Sequence, residues 1–400
     1  MKIIKDPVHG DVEVEDFAQA LLDSFEMQRL RYVRQLGFSY LVYPGANHTR
    51  FEHSLGTMHL ADLMCRQLRL DEISRRLVVA SALLHDIGHG PFSHAIEPIM
   101  KEYAGRTHQD ISGILRSGPI PGILTEAGID TDEVVRMVSG VHRLSGILHG
   151  DLDVDRMDYL LRDAHYTGTP YGTVDAHRLI RNTLLTGEGF VLHESGVQAA
   201  ESLLIARTLM RPSVYFHHVS RIAENMFNLA VMEEVRSVPG EISAIMAMDD
   251  AACMHRLLTS QSPIVRILAM RIYSRKLYKR ALYVGREQVN TAAMDKARSY
   301  AKKQEYSRAI AESVGIGEHE VIVDIPPLPV EMSMEVQVMN RDAVVGLEEI
   351  SPLTTTLNET RLWQWRLGVY TLPEYLEAVG EAAAAVLGIR PATRQDRLIV

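Results

Sequence analysis

Apolar positions along this chain recur mainly at helical spacing. Leu60, Leu63, Met64 and Leu68 fall on one face of a 3.6-residue period, and so do Val78, Ser81, Ala82 and His85. The pattern predicts helix over most of residues 16–310. Residues 1–14 read instead as two short extended segments, with Pro7 and Gly10 supplying a turn between them. Turn chemistry punctuates the helical part at Gly45-Ala46-Asn47, at His89-Gly90-Pro91 and between Gly118 and Gly122. After Gly317 the texture changes. Val321-Ile322-Val323 is β-branched, Pro326, Pro327 and Pro329 interrupt, and Val336, Val338, Val344 and Val345 read as further short strands. An Ala-rich amphipathic helix is expected from Leu372 to Leu387. The expected fold is therefore mainly α. A helical domain spans 1–315, with its core at about 16–240 and a basic helical extension at about 263–315, and a small α+β C-terminal subdomain spans 316–400.

Composition refines this picture. Four hundred residues, 46% apolar and 23% charged, suit a folded protein with a large domain and a smaller one. A net charge of −9 gives no overall attraction to nucleic acid or anionic lipid. One local exception is the stretch from 263 to 315, which includes Arg266, Arg271, Arg275, Lys276, Lys279 and Arg308 and is strongly basic. The amino terminus lacks an apolar signal core, and the apolar run Leu77 to Leu84 is too short to cross a bilayer. A cytoplasmic protein with no membrane partner is expected. Cys65 and Cys253 are the only cysteines, which leaves no disulfide framework and no Cys-rich zinc site. Any metal must be held by histidines and carboxylates.

The central candidate is the adjacent pair His85-Asp86, at the end of an amphipathic helix that Gly88 terminates. At a helix end the backbone can turn and bring both side chains to one cation. His53 lies upstream on the buried face of its own helix. Downstream, Asp151, Asp155, Asp158 and Arg162 are expected on one side of a third helix, with Asp151 and Asp153 as candidate N-caps. Three helices can thus deliver two imidazoles and two carboxylates to one point. Such a mixed set suits Mn, Fe, Zn or Ni better than Mg. Four protein ligands on a metal that accepts six leave room for water and a phosphate oxygen.

The order His53, His85-Asp86, Asp155 resembles the HD superfamily, and the surrounding words narrow the resemblance. They are Lys2-Ile3-Ile4-Lys5-Asp6-Pro7-Val8-His9-Gly10, Gln28-Arg29-Leu30-Arg31-Tyr32, Gln35-Leu36-Gly37, Tyr43-Pro44-Gly45-Ala46, Arg50-Phe51-Glu52-His53-Ser54-Leu55-Gly56 and His85-Asp86-Ile87-Gly88-His89-Gly90-Pro91-Phe92-Ser93-His94. Together they are similar to the deoxynucleoside triphosphate (dNTP) triphosphohydrolase branch, which includes a vertebrate SAM- and HD-domain enzyme. The likeness runs from residue 2 to about 286.

The resemblance implies an HD-domain helical core and hydrolysis of dNTPs to deoxynucleoside and triphosphate. It implies metal ligation by His53, His85, Asp86 and Asp155, with Mg on the nucleotide. It implies triphosphate contacts from Arg50, Arg156 and Arg207, and a catalytic proton carrier in His108, helped by His89 and His94. Gln35, Leu36, Tyr159, Asp163 and Tyr215 would line the sugar pocket. Asp23, Gln28 and Arg31 match residues of an activating guanine-nucleotide site, and Arg275 and Lys279 match its phosphate-binding pair. Their i, i+4 spacing suggests one helix face. The resemblance therefore implies activation by dGTP or GTP and a homodimer or homotetramer. Three positions depart from the family pattern: Gln109 replaces a common Glu after the catalytic histidine, with Asp110 as a substitute, His218 replaces a Lys, and Lys5 replaces an Asn. Two alternatives stand beside this reading. One is another HD phosphohydrolase, a nucleotidase or phosphodiesterase. The other is a non-catalytic sensor that binds nucleotides, or nucleic acid through the 266–308 stretch.

Overall fold

The computed structural model describes residues 1–187, 189–237, 242–290, 299–328, 336–341 and 343–389. In chain order the elements used below are β1 (Lys2–Asp6), β2 (Gly10–Val14), α1 (Asp16–Leu22), α2 (Phe25–Arg29), α3 (Arg50–Gln67), α4 (Glu72–Leu84), α5 (Glu97–Ala104) and α6 (Val154–Thr167). There follow β3 (Thr183–Thr186), β4 (Gly189–His193), α7 (Val197–Met210), α8 (His218–Ser237), α9 (Pro263–Tyr273), β5 (Lys279–Gly285) and α10 (Tyr300–Val314). The chain closes with β6 (Val321–Asp324), β7 (Gln337–Asn340), β8 (Ala343–Gly346), β9 (Arg366–Thr371) and α11 (Leu376–Val386). The fold is mainly α with an α+β C-terminal part, and among the described residues no helix is long and apolar enough to cross a membrane.

Two compact units are interleaved along the chain. The first takes Met1–His217, Gly240–Cys253 and Met332–Leu357. It opens with the antiparallel hairpin β1–β2, in the register Lys2 opposite Val14. The long helices α3, α4 and α6 follow, each with a local reason to start where it does. Glu52 reaches back to accept the Thr49 backbone N–H at 2.6 Å, the reciprocal half of a capping box. Asp71 accepts from Ser74 N at the head of α4, and Asp153 accepts from Arg156 N at the head of α6. Buried Leu60, Met64, Val78, Ala82, Met157 and Leu160 join α3, α4 and α6 in one core, which also takes Leu203 of α7 and Val338 of β7. β7 and β8 belong to a four-stranded sheet of order β3-β4-β7-β8, in which β4 and β7 run parallel.

The second unit takes His218–Pro239, Met254–Glu331 and Asn358–Val400. Its sheet has the order β5-β9-β6, with both neighbours antiparallel to β9. Val321, Val323, Leu367 and Val369 pack against Ile310 of α10 and Val379 and Ala383 of α11. The terminal helix begins at Leu376 rather than Leu372, because Pro373 opens a short 3-10 turn first.

The basic stretch is not one continuous helical extension. Within it α9 ends at Tyr273, β5 intervenes, and α10 starts only at Tyr300. Lys296 and Arg298 lie outside the described residues. Arg275 therefore does not share a helix face with Lys279. It sits past the end of α9 at φ +56°, and Lys279 is the first residue of β5.

Candidate functional site

α3, α4 and α6 bring their polar residues to one buried point in the first unit. His53 lies on the inner face of α3, His85 caps the end of α4 with Asp86 next, and Asp155 lies in the first turn of α6. His53 Nε2 is 3.0 Å from Asp155 Oδ1 and 3.6 Å from Asp86 Oδ2. His85 Nε2 is 3.4 Å from Asp86 Oδ1 and 3.7 Å from Asp155 Oδ1. The side chain of Asp155 is 29% exposed and that of His53 only 1%, so the cluster meets solvent on the α6 side. Asp151 is not on the shared face of α6, since the helix starts at Val154 with Asp153 as its cap.

The cluster fits a divalent metal. One ligand atom each from His53, His85 and Asp86 lies within 4.8 Å of the others. His85 Nδ1 contacts the Ala82 carbonyl at 2.7 Å, and its Nε2 is buried without a hydrogen-bond partner among the described residues, near the carboxylates of Asp86 and Asp155. This fixes the tautomer whose Nε2 lone pair points into the cluster. Burial disfavours a charged His53, yet the hydrogen bonds to Asp155 and Asp158 and the charge of Asp86 push it up to about 10. The pocket thus draws positive charge onto an imidazole. Burial also opposes ionisation of Asp86, but the charges of Arg50 and His85 and a hydrogen bond from His89 hold it well below the usual carboxylate range.

Arg50 NH1 donates to Asp86 Oδ2 at 2.6 Å and Nε donates to Ser93 Oγ at 2.8 Å, while NH2 is buried with no partner among the described residues. Arg50 is 2% exposed, so this unpaired donor is a costly arrangement unless an acceptor arrives. Ser93 and its neighbour Phe92 both hold left-handed backbone, at φ +57° and +56°. Asp250 secures that loop, accepting from Phe92 N at 2.6 Å and from Arg34 N at 3.1 Å. No pattern in the sequence pointed to Asp250, because its partners are 158 and 216 residues away.

A histidine group adjoins the cluster. His89 Nε2 is 3.3 Å from Asp86 Oδ1, and its ring stacks on His108 at a centroid distance of 4.0 Å. Burial first, then the charges of Arg50 and His108, hold His89 well below its usual value, so it is neutral. His108 Nδ1 lies 2.6 Å from Glu97 Oε1, and His94 Nδ1 lies 2.9 Å from Glu97 Oε2. Glu97 is the carboxylate partner of His108, and Asp110 is not: Asp110 is exposed and accepts from Ser112 Oγ instead. The spacing His94 to Glu97, one helical turn, was the available signal. Close packing explains Gly88, where a Cβ would sit 2.2 Å from the His108 carbonyl oxygen.

A second polar chain continues along α6. Tyr215 OH donates to Asp163 Oδ2 at 2.8 Å, and His48 Nε2 meets Asp163 Oδ1 at 2.8 Å. Tyr159 meets Tyr215 edge-on at 6.0 Å. Burial pushes Tyr159 up to about 12, and burial with the Asp163 charge raises Tyr215 well above its usual value, so both phenols keep their protons. Gln35 is 8% exposed with its Oε1 unpartnered among the described residues, and Leu36 packs on the core. Tyr215 closes a π-helical turn, Arg211–Tyr215, that follows α7, the helix of Arg207. Arg156 NH1 is held by the Gly150 carbonyl and the Asp153 carboxylate.

Asp23 closes α1, Gln28 lies within α2 and Arg31 sits in the 3-10 turn that follows it. Gln28 Nε2 donates to the Leu22 carbonyl at 2.7 Å, its Oε1 accepts from Arg31 Nε at 2.9 Å, and the Arg31 guanidinium lies 3.6 Å from the Phe51 ring centre. Arg275 and Lys279 are exposed on the second unit.

Comparison with known proteins follows the same lines. Residues 50–163 match the model of the HD domain, and residues 174–398 match that of the HD-associated region. An uncharacterized protein of Methanocaldococcus jannaschii is 34% identical over 95% of this chain and 81% of its own length. The deoxynucleoside triphosphate triphosphohydrolase SAMHD1 of Gallus gallus is 29% identical over 58% of this chain, and the match spans 45% of that protein. The crystal structure of a hypothetical protein from Aquifex aeolicus superposes with a TM-score of 0.75 at 30% identity, covering 95% of this chain and 99% of that one.

Proposed function

The chain belongs to the HD-domain, dNTPase-like family of hydrolases, and from that premise we propose that it hydrolyses dNTPs to deoxynucleoside and triphosphate. The observation that carries this reading is the junction of three groups in one unit. The His53–His85–Asp86–Asp155 cluster adjoins the histidine group where His89 approaches Asp86 at 3.3 Å, and α6 carries Asp155 together with Tyr159 and Asp163 of the tyrosine wall.

In this reading His53, His85, Asp86 and Asp155 hold a divalent transition metal, Mn, Fe, Zn or Ni. When bound, such a metal polarises the phosphoryl group and makes water a competent nucleophile near neutral pH. The chain's own residues supply the rest. Arg50 turns its unpaired NH2 toward a phosphate oxygen, and Arg207 and Arg156 neutralise further charge on a triphosphate that carries Mg. Arg156 exchanges its Asp153 and Gly150 contacts for the nucleotide. Water adds to the α-phosphorus as the bond to the 5′ oxygen breaks, and His108, oriented by Glu97, delivers the proton which that oxygen needs. His94 and His89 complete the path for that proton. Tyr215, Tyr159, Gln35, Leu36 and Asp163 wall the sugar, where a close fit separates 2′-deoxy from ribose.

A guanine nucleotide, dGTP or GTP, activates the enzyme through Asp23, Gln28 and Arg31, with Arg275 and Lys279 of another subunit on its phosphates. That arrangement requires a homodimer or homotetramer. The test is product analysis. The Mn-loaded protein is incubated with each dNTP, with and without GTP, and products are separated by ion exchange. Deoxynucleoside with intact triphosphate is expected, at a rate that GTP raises. Release of orthophosphate or pyrophosphate would make it a different HD phosphohydrolase. No turnover with any metal would leave a nucleotide-binding sensor.

A further inference from the structure

Behind His53, on the side away from the cluster, lies a buried ion network that no step above uses. Asp158 is 0% exposed and its two oxygens receive four donors. His53 Nδ1 at 2.8 Å and Arg162 Nε at 2.9 Å meet Oδ2, while His9 Nε2 at 2.6 Å and Arg162 NH2 at 2.9 Å meet Oδ1. Arg162, also 0% exposed, spans from Asp158 to Asp6, donating at 2.8 Å and 3.3 Å. Asp6 in turn accepts the backbone N–H of Val8 at 2.9 Å and of His9 at 2.8 Å, which fixes the turn of the β1–β2 hairpin. The space around Asp158 is closed: a Cβ on Gly56 would lie 1.9 Å from its Oδ1.

Resting on the metal-site reading above, we propose that Asp158 is the positioning residue of that site, and that the amino-terminal hairpin, through Asp6, His9 and Arg162, sets its position. The hairpin is thereby mechanically coupled to the metal.

The physical case is one of donors and acceptors. An imidazole can offer a lone pair at Nε2 only if its proton is on Nδ1. The Asp158 oxygen is the acceptor that keeps it there, and it also fixes the rotation of the ring. All four groups that meet Asp158, from His53, His9 and Arg162, are donors, so the carboxylate has no freedom to turn. An amide in its place would have to set its NH2 against a donor. On the Oδ2 side the amide would face both His53 Nδ1 and Arg162 Nε, and His53 could relieve its half of that conflict only by surrendering its Nδ1 proton, which moves the proton to Nε2 and blocks the lone pair. The hairpin supplies His9, which meets Asp158 directly, and Asp6, which holds Arg162; its loss would leave Asp158 with His53 and an arginine of its own helix that has lost its second anchor. Coupling of this kind is reciprocal, so metal binding must stabilise the hairpin as much as the hairpin favours metal.

The experiment titrates the full-length apo-protein with Mn²⁺ or Zn²⁺ against a competing chelator. It compares wild type with Asp158→Asn, His9→Ala and His85→Ala. Amide exchange at Val8 and His9 is followed with and without metal. Metal affinity should fall about 10–100-fold in Asp158→Asn, the range found for outer-shell partners of metal-bound histidines. It should fall by a smaller factor in His9→Ala and be abolished in His85→Ala. Metal should slow exchange at Val8 and His9 in wild type. Wild-type affinity in both Asp158→Asn and His9→Ala, with binding lost in His85→Ala, overturns the inference and leaves the metal site standing. Unchanged binding in His85→Ala overturns the metal reading and the inference with it. If Asp158→Asn fails to fold, His9→Ala and the exchange data decide: no affinity change and no metal-dependent protection sink the coupling.

Discussion

Single residues here act through partners distant in the chain. The proposed proton carrier His108 depends on Glu97, whose carboxyl is held far below its usual range, against burial, by hydrogen bonds from His108 and His94. His108→Ala should lower kcat by about 10²–10⁴-fold, the range for a general acid. Glu97→Gln should lower it less, with KM nearly unchanged, since the amide keeps one acceptor oxygen and removes the charge and the other. Steady-state kinetics on a dNTP checks both. Asp250 offers a pH signature away from the metal cluster. Burial pushes its carboxyl up to about 6, although the N–H groups of Phe92 and Arg34 and the charge of Arg34 pull the other way. Arg29 also lies within electrostatic reach. A carboxyl raised in the folded state contributes stability that is full below its unfolded value and is lost as pH rises through about 6. Asp250→Asn should therefore gain on wild type by up to about 3 kcal/mol between pH 4 and 7. Urea unfolding at several pH values measures this, and parallel pH profiles would refute it.

At the scale of elements, much was legible. The β1–β2 hairpin follows from Pro7 and Gly10, and the strands at Val321, Val338 and Val344 and the helices around His53, His85 and Asp158 follow from periodicity. The misplaced parts have physical reasons. The spacing of Arg275 and Lys279 fits a helix, but the chain leaves α9 through a left-handed turn and enters a strand that pairs with β9, a contact set far along the sequence. Asp151 fits the α6 periodicity, but the Asp153 side chain caps the helix two residues later. Asp250 was missed because its importance lies in tertiary contacts, and Glu97 because its one-turn spacing from His94 is common on helices and does not by itself mark the bond to His108. Gly56 in α3 gives a prediction whose sign opposes helix propensity. Alanine is favoured over glycine inside a helix by about 1 kcal/mol. Here the added methyl meets Asp158 and Arg162 at 1.9 and 2.3 Å, so Gly56→Ala should destabilise by about 1–3 kcal/mol. Denaturant unfolding of the apo-protein decides between the two signs.

For the whole molecule, the informative feature is that neither unit is a continuous piece of chain. A fragment ending at residue 315 keeps every proposed ligand and yet lacks β7 and β8. It would leave β4 without its parallel neighbour and strip Val338 and Leu347 from the core around α3 and α6. Such a fragment should aggregate or melt well below the full chain, and adding residues 316–357 should restore the first unit's stability. Light scattering and circular dichroism on the two lengths test this. A fragment as stable as the full chain would show that the late strands are dispensable.

The same parallel pairing imposes a timetable on synthesis. β4 is complete at His193, but its neighbour β7 begins only at Gln337. At ribosomal speeds of about 5–20 residues per second, the growing chain carries an unsatisfied strand edge for roughly 7–30 seconds. During that interval the proposed metal ligands and proton carriers have all been made, so the nascent chain already holds its candidate site before it can close its own sheet. The vulnerable period of this protein's life is therefore its own birth.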